Sequence, residues 1–356
     1  MSSTQPVSPT RLLPRTGHAL TSLGLGGAPL GNLYNVIGDA DARATFAAAW
    51  AAGIRYFDTA PFYGYGLSEH RFGEALREHP RNEWVLSSKV GRLLKPLGRS
   101  APARVVPLGE TGWHAPLPFE VVYDYTAGAL RRSIEDSLQR LGTNHIELAL
   151  VHDIGRFQHG EQHPHYWSQL VAGGGFRELE AMKREGLIGA IGLGVNEWEV
   201  VLDAMQHTDL DCTLLAGRYT LLEQASLHPF LSTCVQRGVG VIVGGPFNSG
   251  ILAAGTKGPS PVANFNYAAA PPEVLRRVAQ LQAVCASFDV PLAAAALQFP
   301  LAHPAVVSVV PGARNALELQ GIVRWMQHPI PPALWQALRH QGLLHADAPV
   351  PTAAVD

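Results

Sequence analysis

The stretch IRYFDTAPFYGYGLSEHRFGEALREH, residues 54–79, changes character twice. It begins as a short apolar run ending on Asp58, long enough for a strand and too short for a helix. Pro61, Gly64 and Gly66 then break the chain into a loop that carries Tyr63 and Tyr65. From Leu67 onward the residues take up helical spacing. The whole reads as one strand–loop–helix unit with a carboxylate at the strand's lip.

The unit recurs along the chain. Strand-like runs stand at 22–27 (SLGLGG), 54–58, 84–90 (WVLSSKV), 146–152 (IELALVH), 187–195 (LIGAIGLGV), 211–217 (DCTLLAG), 239–245 (VGVIVGG) and 305–312 (AVVSVVPG). Helix-period segments lie between them. DADARATFAAAWAAG has Asp residues placed to cap and Gly53 to stop it, and TAGALRRSIEDSLQRLG spaces Leu130, Ile134, Leu138 and Leu141 on one face. Near-continuous apolar strands alternating with helices predict a parallel sheet covered by helices, and eight units favour closure into a single (β/α)8 TIM barrel. RLLPRTGHALTSLGLG, with Gly17 between two apolar arms, predicts a small N-terminal hairpin at the barrel floor. No linker divides the chain, so residues 1–356 are expected to form one domain with its core over about 20–327. HADAPVPTAAVD reads as a mobile tail.

Bulk properties narrow the function. Charges nearly balance, at −2 net, which gives no electrostatic case for nucleic acid or an anionic membrane. Cys212, Cys234 and Cys285 are too few and too far apart for a disulfide framework or a thiolate metal site. No apolar run reaches transmembrane length and the N-terminus has no apolar h-region, so a cytoplasmic protein is expected.

A barrel places chemistry at the C-terminal ends of its strands. Asp58 ends the second run, Lys89 lies near the end of the third, and His152 ends the fourth, with Tyr63 in the loop after the second. Taken singly, Asp58 suits a turn, Tyr63 a surface cover and His152 a satisfied core position. Lys89 is harder to explain so, being one of four lysines and set in an apolar strand. A buried ammonium needs an anion, which Asp58 on the neighbouring strand supplies. A phenol titrates near pH 10 by itself, and an adjacent ammonium favours its ionised form. Tyr63 thereby becomes a candidate proton-transfer group, with His152 beside it.

Order and spacing of these four residues resemble the aldo-keto reductases, and the likeness runs from about Leu23 to about Arg324. Within that family DTAPFYGYGLSEHRFGEAL, RRSIEDSLQRLGTNHIELALVHDI, LLAGRYTLLEQ and GGPFNSGIL are similar to aldose 1-dehydrogenases of the D-threo-aldose and L-fucose (L-galactose) type. The resemblance implies a (β/α)8 barrel, a nicotinamide cofactor, and Asp58, Tyr63, Lys89 and His152 as the catalytic tetrad. It also implies Asn196 against the carboxamide and Gly245, Phe247, Asn248 and Ser249 across the pyrophosphate. Gly312, Arg314 and Asn315 fall at the adenosine ribose, and Gly26 and Gly27 allow close backbone approach. Departures accompany this. A glutamine common in the family falls on Ala216, leaving Arg218 as a replacement contact, and a stacking tyrosine falls on Gly244. The residues that grip a 2′-phosphate align with Gly312 and Glu318. NAD is therefore expected over NADP, although Arg314 points the other way.

The implied reaction is NAD(P)-dependent oxidation of C1 of an aldose to the lactone, with pyridoxal 4-dehydrogenase or broad carbonyl reduction as alternatives. A small-molecule sugar or cyclic hemiacetal is the expected partner. Trp113 and His114, in the long insertion after Lys89, offer a plane and a donor for it, or simply pack the barrel top. Asp153 stands beside His152 on the substrate side. His159, His163 and His165 lack ligand spacing and read as a polar loop, so no metal is expected. A non-catalytic cofactor sensor conflicts with the intact tetrad. A Schiff-base aldolase conflicts with an Asp58 that keeps Lys89 protonated. Rossmann glycine spacing is absent from LGLGG at 23–27.

Overall fold

All eight apolar runs become strands of one parallel sheet: β1 (Leu25–Gly26), β2 (Tyr56–Asp58), β3 (Val85–Val90), β4 (Ile146–His152), β5 (Ile188–Val195), β6 (Cys212–Ala216), β7 (Gly240–Gly244) and β8 (Val306–Val310). Neighbours in sequence are neighbours in the sheet. Parallel bridges Leu23–Val309 and Gly26–Gly312 bring the first strand against the last, closing the barrel. The computed structural model describes residues 9–98, 112–255, 264–266 and 268–352. Outside are part of the insertion after Lys89, Lys257, and the two chain ends.

A helix follows each strand: α1 (Asp39–Ala51), α2 (Leu67–Leu76), α3 (Ala127–Leu141), α4 (Gly175–Glu185), α5 (Glu199–Ala204), α6 (Phe230–Arg237), α7 (Leu292–Gln298) and α8 (Ala316–Gln327). β4, β7 and β8 are buried along their whole length because helices cover one face and the barrel interior fills the other. The floor is closed as the sequence predicts. Thr10–Leu12 pairs antiparallel with Ala19–Thr21, and the hairpin sends Leu13 and Leu20 into the apolar cluster of Leu148, Leu214 and Ile242. A β-carbon at Gly240 would stand 2.4 Å from Leu13 Cδ2, so the glycine makes room for the plug.

Four local readings change. No side chain caps α1; Gly38 holds that place, and Asp39 instead accepts from Arg71 at 2.7 Å. A buried guanidinium needs an anion more than an exposed helix end needs a cap. The insertion after β3 contains an antiparallel arm, Arg92–Pro96 with Phe119–Tyr123. The histidine-rich segment after β4 is helical at Arg156–His159 and His163–Val171 rather than a loop. Past helix Pro332–His340, the described part of the tail, up to residue 352, packs down: Ala348 is buried and its carbonyl oxygen accepts from Arg339.

Candidate active site

Parallel register sets the site. Asp58 pairs with Ser87, Lys89 with Leu150 and His152 with Gly194, so three adjacent strands raise their polar residues to the same rim. Lys89 Nζ donates to Asp58 Oδ2 at 2.8 Å, to Oδ1 at 3.0 Å and to the Thr59 carbonyl oxygen at 2.9 Å. Ser87 Oγ donates to Asp58 Oδ1 at 2.6 Å. The two charged side chains are 2% and 5% exposed, so water does not screen the pair. A β-carbon at Gly194 would stand 3.2 Å from Lys89 Cε, which leaves the lysine stem its space.

Tyr63 is half-buried over this pair, its ring centre 4.6 Å from the ammonium. Burial alone would lower Lys89, but the Asp58 carboxylate and the Tyr63 phenol outweigh it and raise the ammonium's pKa. Burial also governs the phenol, lifting Tyr63 above its ordinary 10.0 against the downward pull of Lys89. The expected lowering is thus a moderation, and Tyr63 rests as a phenol at neutral pH. His152 is pushed well below the ordinary imidazole range by burial, then by Arg92 and Lys89, and is neutral. Its Nε2 lies 3.5 Å from Asp153 Oδ2, and its ring centre is 6.0 Å from that of Tyr63.

Above these groups opens a cavity of about 620 Å³ walled by Tyr34, Phe62, Trp113, Tyr123 and Phe157, with Asp153 and Asn196 on its lining. Trp113 meets Phe62 edge to face at 5.4 Å and stands 5.6 Å from Tyr63. His114 lies off the lining, its backbone N–H donating to Asn32. Among the described residues no group of His, Cys, Asp or Glu fits a metal. His159 Nε2 meets the Tyr125 hydroxyl at 2.9 Å and His163 Nδ1 the Ile154 carbonyl oxygen at 3.0 Å.

The cofactor residues fall around the same opening. Asn196 Nδ2 donates to Asp153 Oδ1 at 3.1 Å, and Arg218 Nε donates to the Asn196 carbonyl oxygen at 2.7 Å. After β7, Gly245, Asn248 and Ser249 all have positive φ, at 55°, 45° and 59°. Asn248 Nδ2 ties to the Gly217 carbonyl oxygen at 3.0 Å, while its Oδ1 is buried without a partner among the described residues. Left-handed backbone of this kind forms amide concavities that suit a pyrophosphate, so the loop fits that group. Phe247 packs on Trp325 at 5.9 Å. After β8, Asn315 caps α8 by accepting from Glu318 N at 2.9 Å. Gly312 abuts Pro29, where a β-carbon would stand 2.5 Å away. Gly26 and Gly27 spend their N–H groups on Pro311 and Asp58 carbonyl oxygens. Gly27 also admits α2, since its β-carbon would meet Ser68 Oγ at 2.6 Å.

Tyr63 depends on two interlocked glycines. A β-carbon on Gly64 (φ 63°) would stand 2.4 Å from the Gly31 carbonyl oxygen. Gly64→Ala is expected to cost roughly 1–3 kcal/mol from the strained φ alone. It should also displace Tyr63, so that both thermal midpoint and kcat fall. An unchanged kcat would show that the loop does not position the phenol.

One residue at the rim carries no signal in the sequence beyond its place in GRLL. Arg92 is 2% exposed, lies on the cavity lining, and donates to Asp153 Oδ2 at 2.5 Å.

The aldo/keto reductase family model matches residues 22–340. The chain is 48% identical to a pyridoxal 4-dehydrogenase of Microbacterium luteolum over 95% of this chain and 98% of that one. It is 38% identical to a D-threo-aldose 1-dehydrogenase of a Pseudomonas species over 97% and 99%. The fold matches the holo form of an aldo-keto reductase from Bacillus halodurans with a TM-score of 0.70, at 23% identity over 96% and 98%.

Proposed function

The chain belongs to the aldo/keto reductase family, and from that premise we propose that it is a nicotinamide-dependent dehydrogenase of cyclic hemiacetals, oxidising the hemiacetal carbon to a lactone. The observation that carries this is a phenol over a buried Asp58–Lys89 pair, beside a neutral imidazole, at the base of an aromatic-walled cavity. The nicotinamide, when bound, supplies the hydride acceptor. Tyr63 Oη exchanges the proton of the substrate hydroxyl, taking it in oxidation and giving it in carbonyl reduction. Lys89 stabilises the phenolate form, and Asp58 keeps Lys89 charged and oriented. Neutral His152 hydrogen-bonds the reacting oxygen without adding a competing charge. Aromatic walls exclude water from the base of the cavity.

Pyridoxal, as its internal hemiacetal, is the first substrate to test; the planar walls and the 48% relative support it. Aldoses of the L-fucose, L-galactose or D-threo type are the second, supported by Asp153, Glu120 and Gln158 on the lining and by the 38% relative. Either nucleotide, offered with pyridoxal and a sugar panel, should give reduced cofactor by absorbance and a lactone product. Absence of turnover with all of them would sink the reading.

NAD is favoured over NADP by the engagement of Arg314. Its Nε donates to Glu318 Oε1 at 2.8 Å and its backbone N–H to Oε2 at 2.9 Å, so its charge is already matched. Glu318→Gln is expected to tighten NADP⁺ binding by about tenfold, the scale of one charge-assisted hydrogen bond. Fluorescence titration measures this; tighter binding of NADP⁺ than NAD⁺ by the unaltered protein would refute the preference.

A further inference from the structure

We infer that Arg92, backed by Asp153, selects substrates bearing an oxygen one or two carbons from the reacting one. This rests on the carbonyl–alcohol chemistry at Tyr63 and names a specificity residue for it. The guanidinium is 2% exposed and lies 4.2 Å from the centre of the Phe62 ring, which fixes its plane against the wall beside Tyr63. Its Nη2 donates to Asp153 Oδ2 at 2.5 Å and to Gln158 Oε1 at 3.2 Å. Nε is buried and meets no acceptor among the described residues. A buried donor on a cavity wall with no acceptor is satisfied when a ligand brings one.

Its position relative to the chemistry follows from a shared atom. Asp153 Oδ2 receives Arg92 and lies 3.5 Å from His152 Nε2, so guanidinium and imidazole converge on one carboxylate oxygen. Asp153 holds a left-handed φ of 43°, and its N–H donates to the Gly194 carbonyl oxygen at 2.9 Å. Backbone strain of this kind persists where the surrounding structure imposes it. Asn196 occupies the other carboxylate oxygen, which leaves Asp153 fixed from both sides. With the reacting oxygen at Tyr63 and His152, an oxygen one or two carbons away falls further along the same wall. There Arg92 donates to it, and if it is a hydroxyl Asp153 accepts its hydrogen bond. The 2-hydroxyl of an aldose, on the adjacent carbon, and the 3-hydroxyl of pyridoxal, on the carbon beyond it, both meet that description.

Salicylaldehyde and benzaldehyde test this, because they differ only in the ortho oxygen, two carbons from the carbonyl carbon, and neither needs to cyclise. The unaltered protein should favour salicylaldehyde by about 10- to 100-fold in kcat/KM, the range of one hydrogen bond to a charged group. Arg92→Met should bring the ratio close to one, the extra loss for salicylaldehyde appearing mostly in KM whatever loss the two aldehydes share; Arg92→Lys should restore part of the ratio. Dissociation constants by calorimetry give the same ratio without turnover. No preference in the unaltered protein, or a preference that survives Arg92→Met, overturns the inference. An equal loss for both aldehydes does so too, since it would mark a structural role. The ratio is readable even if no hemiacetal is oxidised, so the two readings fail separately.

Discussion

Tyr63→Phe is expected to lower kcat/KM by about 10²–10⁴-fold or more in both directions, the range assigned to a positioned acid–base group. The substitution keeps the ring that packs at 5.6 Å from Trp113 and removes only the hydroxyl. Thermal midpoint and cofactor affinity should therefore change little. pH adds a second readout. Tyr63 titrates above its ordinary 10.0, so the protonated form that carbonyl reduction requires persists through neutral pH and is lost only on the alkaline side. Oxidation requires the ionised form and should rise with pH across the neutral-to-alkaline range. His152, held well below its ordinary 6.5, contributes no step near that value. Stopped assays in both directions, with and without the phenol, check this. A pH slope that survives in Tyr63→Phe would assign the proton to another group.

Asp58→Ala is expected to destabilise the fold by about 3–5 kcal/mol, because removing one partner of a buried pair strands the other charge. Lys89 then keeps no charged partner, only the Thr59 carbonyl oxygen and the Tyr63 hydroxyl, and burial drives its pKa down. The pH dependence of stability should change with it. In the intact pair the folded-state pKa of Lys89 exceeds its ordinary 10.5. Its contribution is thus complete below that value and is lost as pH rises through the folded-state pKa. In Asp58→Ala the sign reverses, and stability should improve as the stranded lysine deprotonates. Adding Lys89→Met should recover much of the stability and none of the activity, since the phenol then has no ammonium beneath it. Denaturant melts against pH measure the first, turnover the second. A single mutant as stable as the parent would mean that water reaches Lys89.

The strand–loop–helix rhythm was legible because a strand buried on both faces has nowhere to place polar residues, so IELALVH and VGVIVGG mark themselves. The Asp58–Lys89 pair was legible for the complementary reason. A lysine in such a strand must meet an anion, and the nearest carboxylate in parallel register was Asp58. Asp39 misled, since Asp just before a helix satisfies the capping pattern equally whether it caps or pairs with Arg71. The histidines after β4 misled likewise, because Tyr125 and the Ile154 carbonyl oxygen that bury two of them lie remote in sequence or inside a loop.

The sequence by itself determined the barrel and the hairpin at its floor through periodicity, and the Asp58–Lys89 pair through what a buried charge demands. It placed Tyr63 and His152 at the same rim by their positions in the loop after one strand and at the end of another. Only the tertiary structure decided what those residues are at rest. Tyr63 remains a phenol because burial outweighs the lysine beneath it, and Arg92 reaches the cavity because a strand arm turns it onto Asp153. Both outcomes depend on distances and desolvation among residues far apart in the chain, which spacing along the sequence does not encode.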